Sequence, residues 1–330
     1  MAIQKYTVYV ISGDKKYNLT NAVISLDRSE ADKQIAQSVT LQLENTQVDG
    51  KWLSTLLQPR SRVFIYAKEG SGEKEVFRGY LWVRLSGFST SDLEIKYKCY
   101  DNLIYFQESE DSLYFTDGKA TNDIVSSICT KWGIKLQYSY DSITHTKLPL
   151  RGFLSDIFTA DVLDLVKKRT GKKYVILSDQ DTMHVKPVGS NDTIYQFKAG
   201  KNVTKVSSGW TMEGVITQVV IVGKADDEDR EPIEATVSGK TSEYGTLQKI
   251  ESKDENTSLE DAKLEAQHTI DENGEPKWEY VIIAPDVPWI RKGDKIYVDA
   301  GDISGYKIVR SIDRTIDNKK QAMEISAEDV

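Results

Sequence analysis

The chain is poor in the residues that usually announce chemistry: its 330 residues include two cysteines, three histidines, four methionines and seven prolines. Two cysteines, Cys99 and Cys129, cannot build a disulfide framework. Cys99 continues the apolar alternation of Leu93, Ile95 and Tyr97, so both read as buried thiols in a reducing compartment. His145, His184 and His268 stand apart, with no HExxH, CxxC or other grouping at metal-ligand spacing. There is no GxSxG elbow, P-loop or dinucleotide GxGxxG, and the many loop acids form no specific carboxylate pair. The residues therefore point to no catalytic site, no cofactor, no metal and no enzyme. Long apolar runs are missing too. The stretch Met1 to Tyr6 lacks an apolar h-region, and no later run approaches a membrane span. The expectation is a chain made in the cytoplasm without membrane binding. A net charge of -8 argues against nucleic-acid backbones as partners. The basic cluster Lys167, Lys168, Arg169, Lys172 and Lys173 reads as a solvated helix end favoured by the helix dipole.

What is plentiful is strand-forming sequence. Seventeen tyrosines, six tryptophans and alternating Val, Ile and Thr make the chain mainly β, and its length suits two or three domains. Two stretches in the middle share a register: Thr121, Asp123, Ile128 and Gly133 recur in the same spacing as Thr159, Asp161, Val166 and Gly171. Each reads as a threonine-capped helix with an aspartate in its first turn and a glycine stop, running into the strands Ile134 to Tyr140 and Lys173 to Ser178. Ile124, Val125, Ile128, Cys129 and Trp132 form an apolar stripe on the first, and Phe158 can staple onto Leu163 in the second.

On either side the pattern is strand-like. Lys5 to Ile11, Tyr17 to Leu26, Val39 to Leu43, Arg62 to Ala67, Val76 to Leu85 and Leu93 to Tyr100 alternate in the first hundred residues. A small closed barrel is the economical arrangement for them, because closure removes exposed edges. Ser178 to Thr182 reads as a hairpin turn, its acids lacking the other ligands of a calcium loop. Val215 to Val222 should be a central strand buried on both faces, followed by a mobile acidic loop over Ala225 to Pro232. Thr257 to Glu260 has a capping-box pattern opening a helix to about Thr269, with Ala262 and Ala266 on one face. Strands over Trp278 to Ile283, Lys295 to Val298, Tyr306 to Ile312 and Ala322 to Ala327 follow. Gly79-Tyr80 with Val83-Arg84 is echoed by Gly305-Tyr306 with Val309-Arg310, and Glu94-Ile95 by Glu324-Ile325. The expected fold is thus α+β and mainly β: a β-barrel over residues 1–105, a central α/β layer of two helix-strand units over 106–194, and a second barrel with the acidic loop and one helix over 195–330.

These residues carry a family resemblance. Phe77 to Tyr80 leading to Tyr97 to Asp101, Lys119 to Val125 with Gly133-Ile134, Gly171 to Tyr174, Arg230 to Ile233, Tyr244 to Gln248, and Val287 to Asp294 through Gly305-Tyr306 resemble the XkdQ family of PBSX-like prophage tail proteins. That family is related to baseplate hubs of contractile-tailed phages. The resemblance implies a structural hub that is a homotrimer in the assembled particle, adapting a hexameric tail tube to a trimeric spike. It implies the tail tube protein, the central spike protein and other baseplate proteins as partners, with no specific nucleic acid, and a place in the tail baseplate. The particle is a phage, a defective prophage or a bacteriocin. The competing class is a carbohydrate-binding or peptidoglycan-cleaving tail component, with Trp52, Trp82, Trp210 and Trp289 as stacking candidates, although a tryptophan in a strand is more often packing.

Overall fold

In a computed structural model, residues 5–69, 72–86, 93–225, 230–253 and 257–330 are described. Most of the strands at the two ends of the chain join one sheet of thirteen. Its main path runs Lys205–Thr211, Lys277–Pro285, Gln321–Asp329, Ile303–Asp317, Val23–Glu30, Ser38–Glu44, Glu94–Tyr100, Gly72–Ser86, Arg62–Glu69, Tyr6–Ser12 and Lys15–Asn18. Gln196–Lys198 and Lys295–Ala300 branch from it, the latter pairing with the first half of Ile303–Asp317. The alternation behind this is plain in Tyr6–Ser12, where Tyr6, Val8 and Val10 are buried and the residues between them are half-buried.

The same strand order occurs twice. In the first half Tyr6–Ser12, Arg62–Glu69, Gly72–Ser86, Glu94–Tyr100, Ser38–Glu44 and Val23–Glu30 are successive neighbours; in the second, Gln196–Lys198, Lys295–Ala300, Ile303–Asp317, Gln321–Asp329, Lys277–Pro285 and Lys205–Thr211. The six strands also follow one another along the chain in the same sequence. The halves differ at one pair: Tyr6–Ser12 runs antiparallel to its neighbour, whereas Gln196–Lys198 runs parallel.

The expected barrels are not formed. Among the described residues no sheet closes, because the edge that closure of the first half would consume is already used. Val23–Glu30 pairs on one side with Ser38–Glu44 and on the other with Ile312 to Asp317 of the second half. Cross-half pairing thus satisfies that edge instead of closure.

The echo of Gly79 and Gly305 lies in corresponding strands but two residues out of register. Leu81 exchanges backbone hydrogen bonds with Arg60 and Ser61, as Val309 does with Gly293 and Asp294. A bulge follows each, between Leu81 and Val83 and between Val309 and Ser311. Leu81 therefore corresponds to Val309. A two-residue slip keeps every side chain on its own face, which is why the letters still matched. The two glycines serve different needs. A Cβ on Gly79 would meet the Tyr100 carbonyl oxygen at 2.2 Å, whereas Gly305 has open space and a φ of +117°.

In the centre, a core of Ile124, Val125, Ile128, Phe158, Val162, Leu163, Val166 and Met183 gathers helices over a three-stranded sheet of Lys135–Tyr138, Thr182–Pro187 and Tyr174–Asp179. Gly133 and Gly171 adopt left-handed stops at φ of +67° and +68°. The threonines do not cap. The first helix spans Thr121–Lys131, and Thr121 Oγ1 contacts His145 Nε2 at 2.7 Å. Thr159 lies inside a continuous helical run from Leu154 to Thr170, within its π-helical turn Ile157–Leu163, and its hydroxyl donates to the Ser155 carbonyl at 2.8 Å. The two units thus share their stops, not their starts.

The C-terminal half holds a further body. Val219 to Val222 are buried in the middle strand, Gln218–Val222, of a small sheet with Ile233–Ser238 and Gln248–Ser252. The helix Leu259–Asn273 packs Ala262, Ala266 and Ile270 onto it, capped by Ser258 accepting from the Asp261 N–H at 3.0 Å. This body is an insertion between Lys205–Thr211 and Lys277–Pro285, which pair directly. The core of the acidic loop, residues 226–229, lies outside the described residues.

Candidate functional site: a buried charged junction and two open sheet edges

On Val23–Glu30 the inward face carries Leu26, Arg28 and Glu30. Two of those positions are charged and almost fully buried, which only dense pairing permits. Glu30 accepts from Arg291 Nε at 2.8 and 3.0 Å, from Gln37 Nε2 at 3.1 Å and from the Lys292 N–H at 3.2 Å. Arg28 and Arg314 stand 3.9 Å from it, and both are 1% exposed. Arg28 donates to the Pro288 carbonyl at 2.9 Å, and Arg314 reaches the Ile290 carbonyl and lies 3.2 Å from Asp286. Tyr6 of the first strand and Lys5 just before it also converge on Asp286.

The electrostatics follow from this crowding. Burial alone would raise the Glu30 carboxyl, but Arg291, Arg314 and Arg28 hold it at about 2. Arg28 is pushed down to about 9 by burial and by the like charge of Arg314. Arg291, hydrogen-bonded to both carboxylate oxygens, is the foremost of these partners of Glu30. Arg28 Nε and Nη1, with Arg314 Nε and Nη1, make no directed hydrogen bond among the described residues. Asp101 accepts from the Gln37 and Leu103 N–H groups at 2.9 Å, yet burial drives its carboxyl up to about 7.

The junction extends into the central layer. Arg291 donates to the Ser178 carbonyl at 3.2 Å, Ser178 bonds Asn102 at 2.6 Å, and Asn102 donates to the Asp181 carbonyl at 2.7 Å. Asp181 accepts from Arg62 at 2.6 Å and pairs with Arg78 at 3.5 Å. Its turn places both Gln180 and Asp181 at positive φ, 47° and 67°, a geometry usually given to Asn-Gly. The network therefore clamps all three parts of the chain together through residues 286–294 and 178–181.

Nothing assembled here resembles a reaction centre. The histidines are dispersed: His145 is buried beside Thr121 and held at about 4 by burial, His184 is lowered for the same reason, and His268 contacts the Lys168 carbonyl. Among the described residues no group of His, Cys, Asp and Glu could hold a metal, and no helix is long and apolar enough to cross a membrane. Cys99 and Cys129 are buried thiols, the latter pushed up to about 12. Of the tryptophans, Trp82 packs edge-on against Tyr105 beside the central core and Trp289 against the first core beneath Lys74, while Trp52 and Trp210 are exposed. The basic cluster is not a free solvated face. Lys167 pairs with Glu272, Arg169 with Glu265, Lys172 with Asp141 and Lys173 with Glu328, seating the central helix against the inserted one and the last strand.

Open edges of the large sheet among the described residues include those of Lys15–Asn18 and Gln196–Lys198 and two more. One is the outer edge of Lys205–Thr211; the other is the Val83 to Ser86 end of Gly72–Ser86, on the side away from Glu94–Tyr100. Sequence reading found neither these edges nor the junction. Arg28 and Glu30 were hidden because alternation marks charged residues as outward.

Comparison with known proteins agrees with this architecture. A prophage MuSo2 43 kDa tail protein from Shewanella oneidensis has a similar fold at a TM-score of 0.70 and 13% identity, covering 97% of this chain and 98% of that one. A tail protein from Neisseria meningitidis MC58 gives 0.71 and 13%, covering 98% and 97%. The E. coli c3393 protein, a type VI secretion component described as similar to T4 tail proteins gp27 and gp5, gives 0.59 and 9%, covering 94% and 74%. No curated protein matches the sequence. The YQBQ-like family matches residues 32–328, and the chain belongs to that family.

Proposed function

We propose that this chain is a structural baseplate hub of a contractile phage tail or tail-like particle, of the XkdQ type, and catalyses nothing. The observation that carries the reading is the six-strand order that occurs twice in one chain. Three copies offer six similar sheet faces, which suits a hexameric tail tube above and a trimeric spike below. Closed point groups are the usual form of homo-oligomers, and a ring of three is physically ordinary. Residues 1–105, 106–194 and 195–330 act as the tube-facing, central and second tube-facing parts, and the buried junction fixes their geometry. The similar folds of tail proteins and of a type VI secretion component support the assignment. The chain is made in the cytoplasm and leaves it within the particle. The packed state of Trp82 and Trp289 removes half of the candidates for glycan stacking, so the hub reading is preferred.

The test is stoichiometry. Purified chain mixed with its tube protein should yield a complex of three chains per tube ring of six, measured by native mass spectrometry. A one-to-one ratio, or release of fragments from peptidoglycan by the pure chain, would overturn the reading.

A further inference from the structure

The open edges at Lys205–Thr211 and at the end of Gly72–Ser86 correspond to the two strands that pair inside the chain. Within one molecule Val23–Glu30 of the first half pairs with the second half of Ile303–Asp317, opposing Ile312 to Glu30, Asp313 to Ser29 and Arg314 to Arg28. The counterpart of Val23–Glu30 in the second half is Lys205–Thr211, which has one neighbour only. The counterpart of Ile312 to Arg314 in the first half is Arg84 to Ser86, with no described neighbour on the corresponding side. Each half therefore has the donor strand and the receiving edge, and one set of the two is used.

We infer that Lys205–Thr211 of one copy pairs antiparallel with Arg84 to Ser86 of a second copy, repeating between molecules the seam seen within one. This deepens the proposed homo-oligomer and rests on it only for the number of copies. The register follows from the ladders. Leu81 corresponds to Val309, so Arg84, Leu85 and Ser86 correspond to Ile312, Asp313 and Arg314. Leu41 and Ile282 occupy matching places opposite Tyr97 and Ile325, and pair in turn with Leu26 and Val206. Ser208, Gly209 and Trp210 then correspond to Arg28, Ser29 and Glu30. Between copies Arg84 opposes Trp210, Leu85 opposes Gly209 and Ser86 opposes Ser208.

The side chains fit that pairing. Trp210 lies on the same strand face as Val206, which packs against the third core, yet Trp210 is 62% exposed. Its counterpart Glu30, which lies in the seam, is 2% exposed. Leu85 is 62% and Val83 39% exposed beside the receiving edge. Pairing covers these apolar groups and sets Arg84, whose guanidinium donates to the Ser54 carbonyl at 2.8 Å, opposite the Trp210 indole. The contact is heterologous, joining unlike edges, so copies add head to tail and form a ring where the rotation between them closes.

The full-length chain tests this through paired cysteines. Leu85→Cys and Gly209→Cys are made in separate chains. Cross-strand Cα spacings suit a disulfide, a Cβ at Gly209 meets nothing within 4 Å, and the native thiols are buried. Oxidation of an equal mixture should give a covalent dimer about tenfold more abundant than from either chain alone. Trp210→Ala should weaken self-association about tenfold in sedimentation, with Trp52→Ala as the neutral control. Oligomers that form and bind tube protein without the mixed disulfide would overturn the edge pairing and leave the hub. The mixed disulfide in a chain that ignores tube protein would support the pairing and overturn the hub. A chain that stays monomeric without the disulfide, with and without tube protein, would overturn the pairing.

Discussion

Glu30 is a single carboxylate opposite three arginines, and its value lies in what its removal would leave. Glu30→Gln keeps the shape but leaves Arg28 and Arg291 without their buried carboxylate, while Arg314 keeps Asp286 at 3.2 Å; loss of one partner of a buried pair typically costs about 3–5 kcal/mol. Denaturant unfolding should show a loss of that size; a loss within experimental error would mean water already screens the cluster. Asp101 makes the opposite contribution. Its folded value near 7 exceeds its ordinary one, so between about pH 4 and pH 7 the unfolded chain ionises while the folded chain keeps the proton. Its contribution to stability is therefore full below pH 4 and falls as pH rises to 7, then levels off. Asp101→Asn has one acceptor oxygen for two N–H donors, so it is less stable at pH 4, but this decline with pH should vanish from its stability profile. Unchanged decline would assign the effect to Asp294, also raised by burial, to about 6. Neither residue was legible in the sequence. Alternation sorts residues by polarity, and a buried ion cluster inverts that rule.

At the scale of elements, strands were legible where one face is apolar and failed only in detail. Tyr6–Ser12, Glu94–Tyr100 and Gln218–Val222 follow their alternation or apolar run. The helix stops at Gly133 and Gly171 were legible because a left-handed residue has few substitutes. The helix starts were not: Thr121 and Thr159 have cap chemistry, but the apolar packing of Leu154, Ile157 and Phe158 extends the second helix past its apparent cap. Glycine meaning was likewise invisible without partners. Gly79→Ala would drive a Cβ into a backbone oxygen that cannot rotate away, costing about 1–3 kcal/mol or more. Gly305→Ala meets no atom and carries only backbone strain, about 1–2 kcal/mol. Thermal unfolding should rank Gly79→Ala below Gly305→Ala; the reverse order would show that the Gly72–Ser86 strand yields to its neighbour.

At the scale of the whole molecule, alternation cannot say which strand supplies the last edge, so two closed barrels and one open sheet read alike in sequence. The pairing of Val23–Glu30 with Ile312 to Asp317 is contact between residues nearly a full chain apart, and no local pattern encodes it. The same limit hid the insertion, which hangs from one hairpin of the large sheet. Thr211 pairs directly with Lys277, so residues 212–276 leave and return at one point of a hairpin. Their own core of Val219, Ile221, Ala262, Ala266 and Ile270 is distinct from the third core of Ile282, Ile296, Val298 and Ile325. What ties them to the rest includes ion pairs such as Lys167–Glu272 and Arg169–Glu265, partly exposed and each contributing about 1 kcal/mol or less. Replacing residues 212–276 by Asn-Gly, which supplies the turn a two-residue hairpin favours, should therefore leave a folded, cooperative protein that keeps its large sheet. Circular dichroism and calorimetry would read one transition with a modestly lower midpoint. A molten product would show instead that the inserted body holds Lys205–Thr211 in the sheet, because that edge strand has only one neighbour to keep it there.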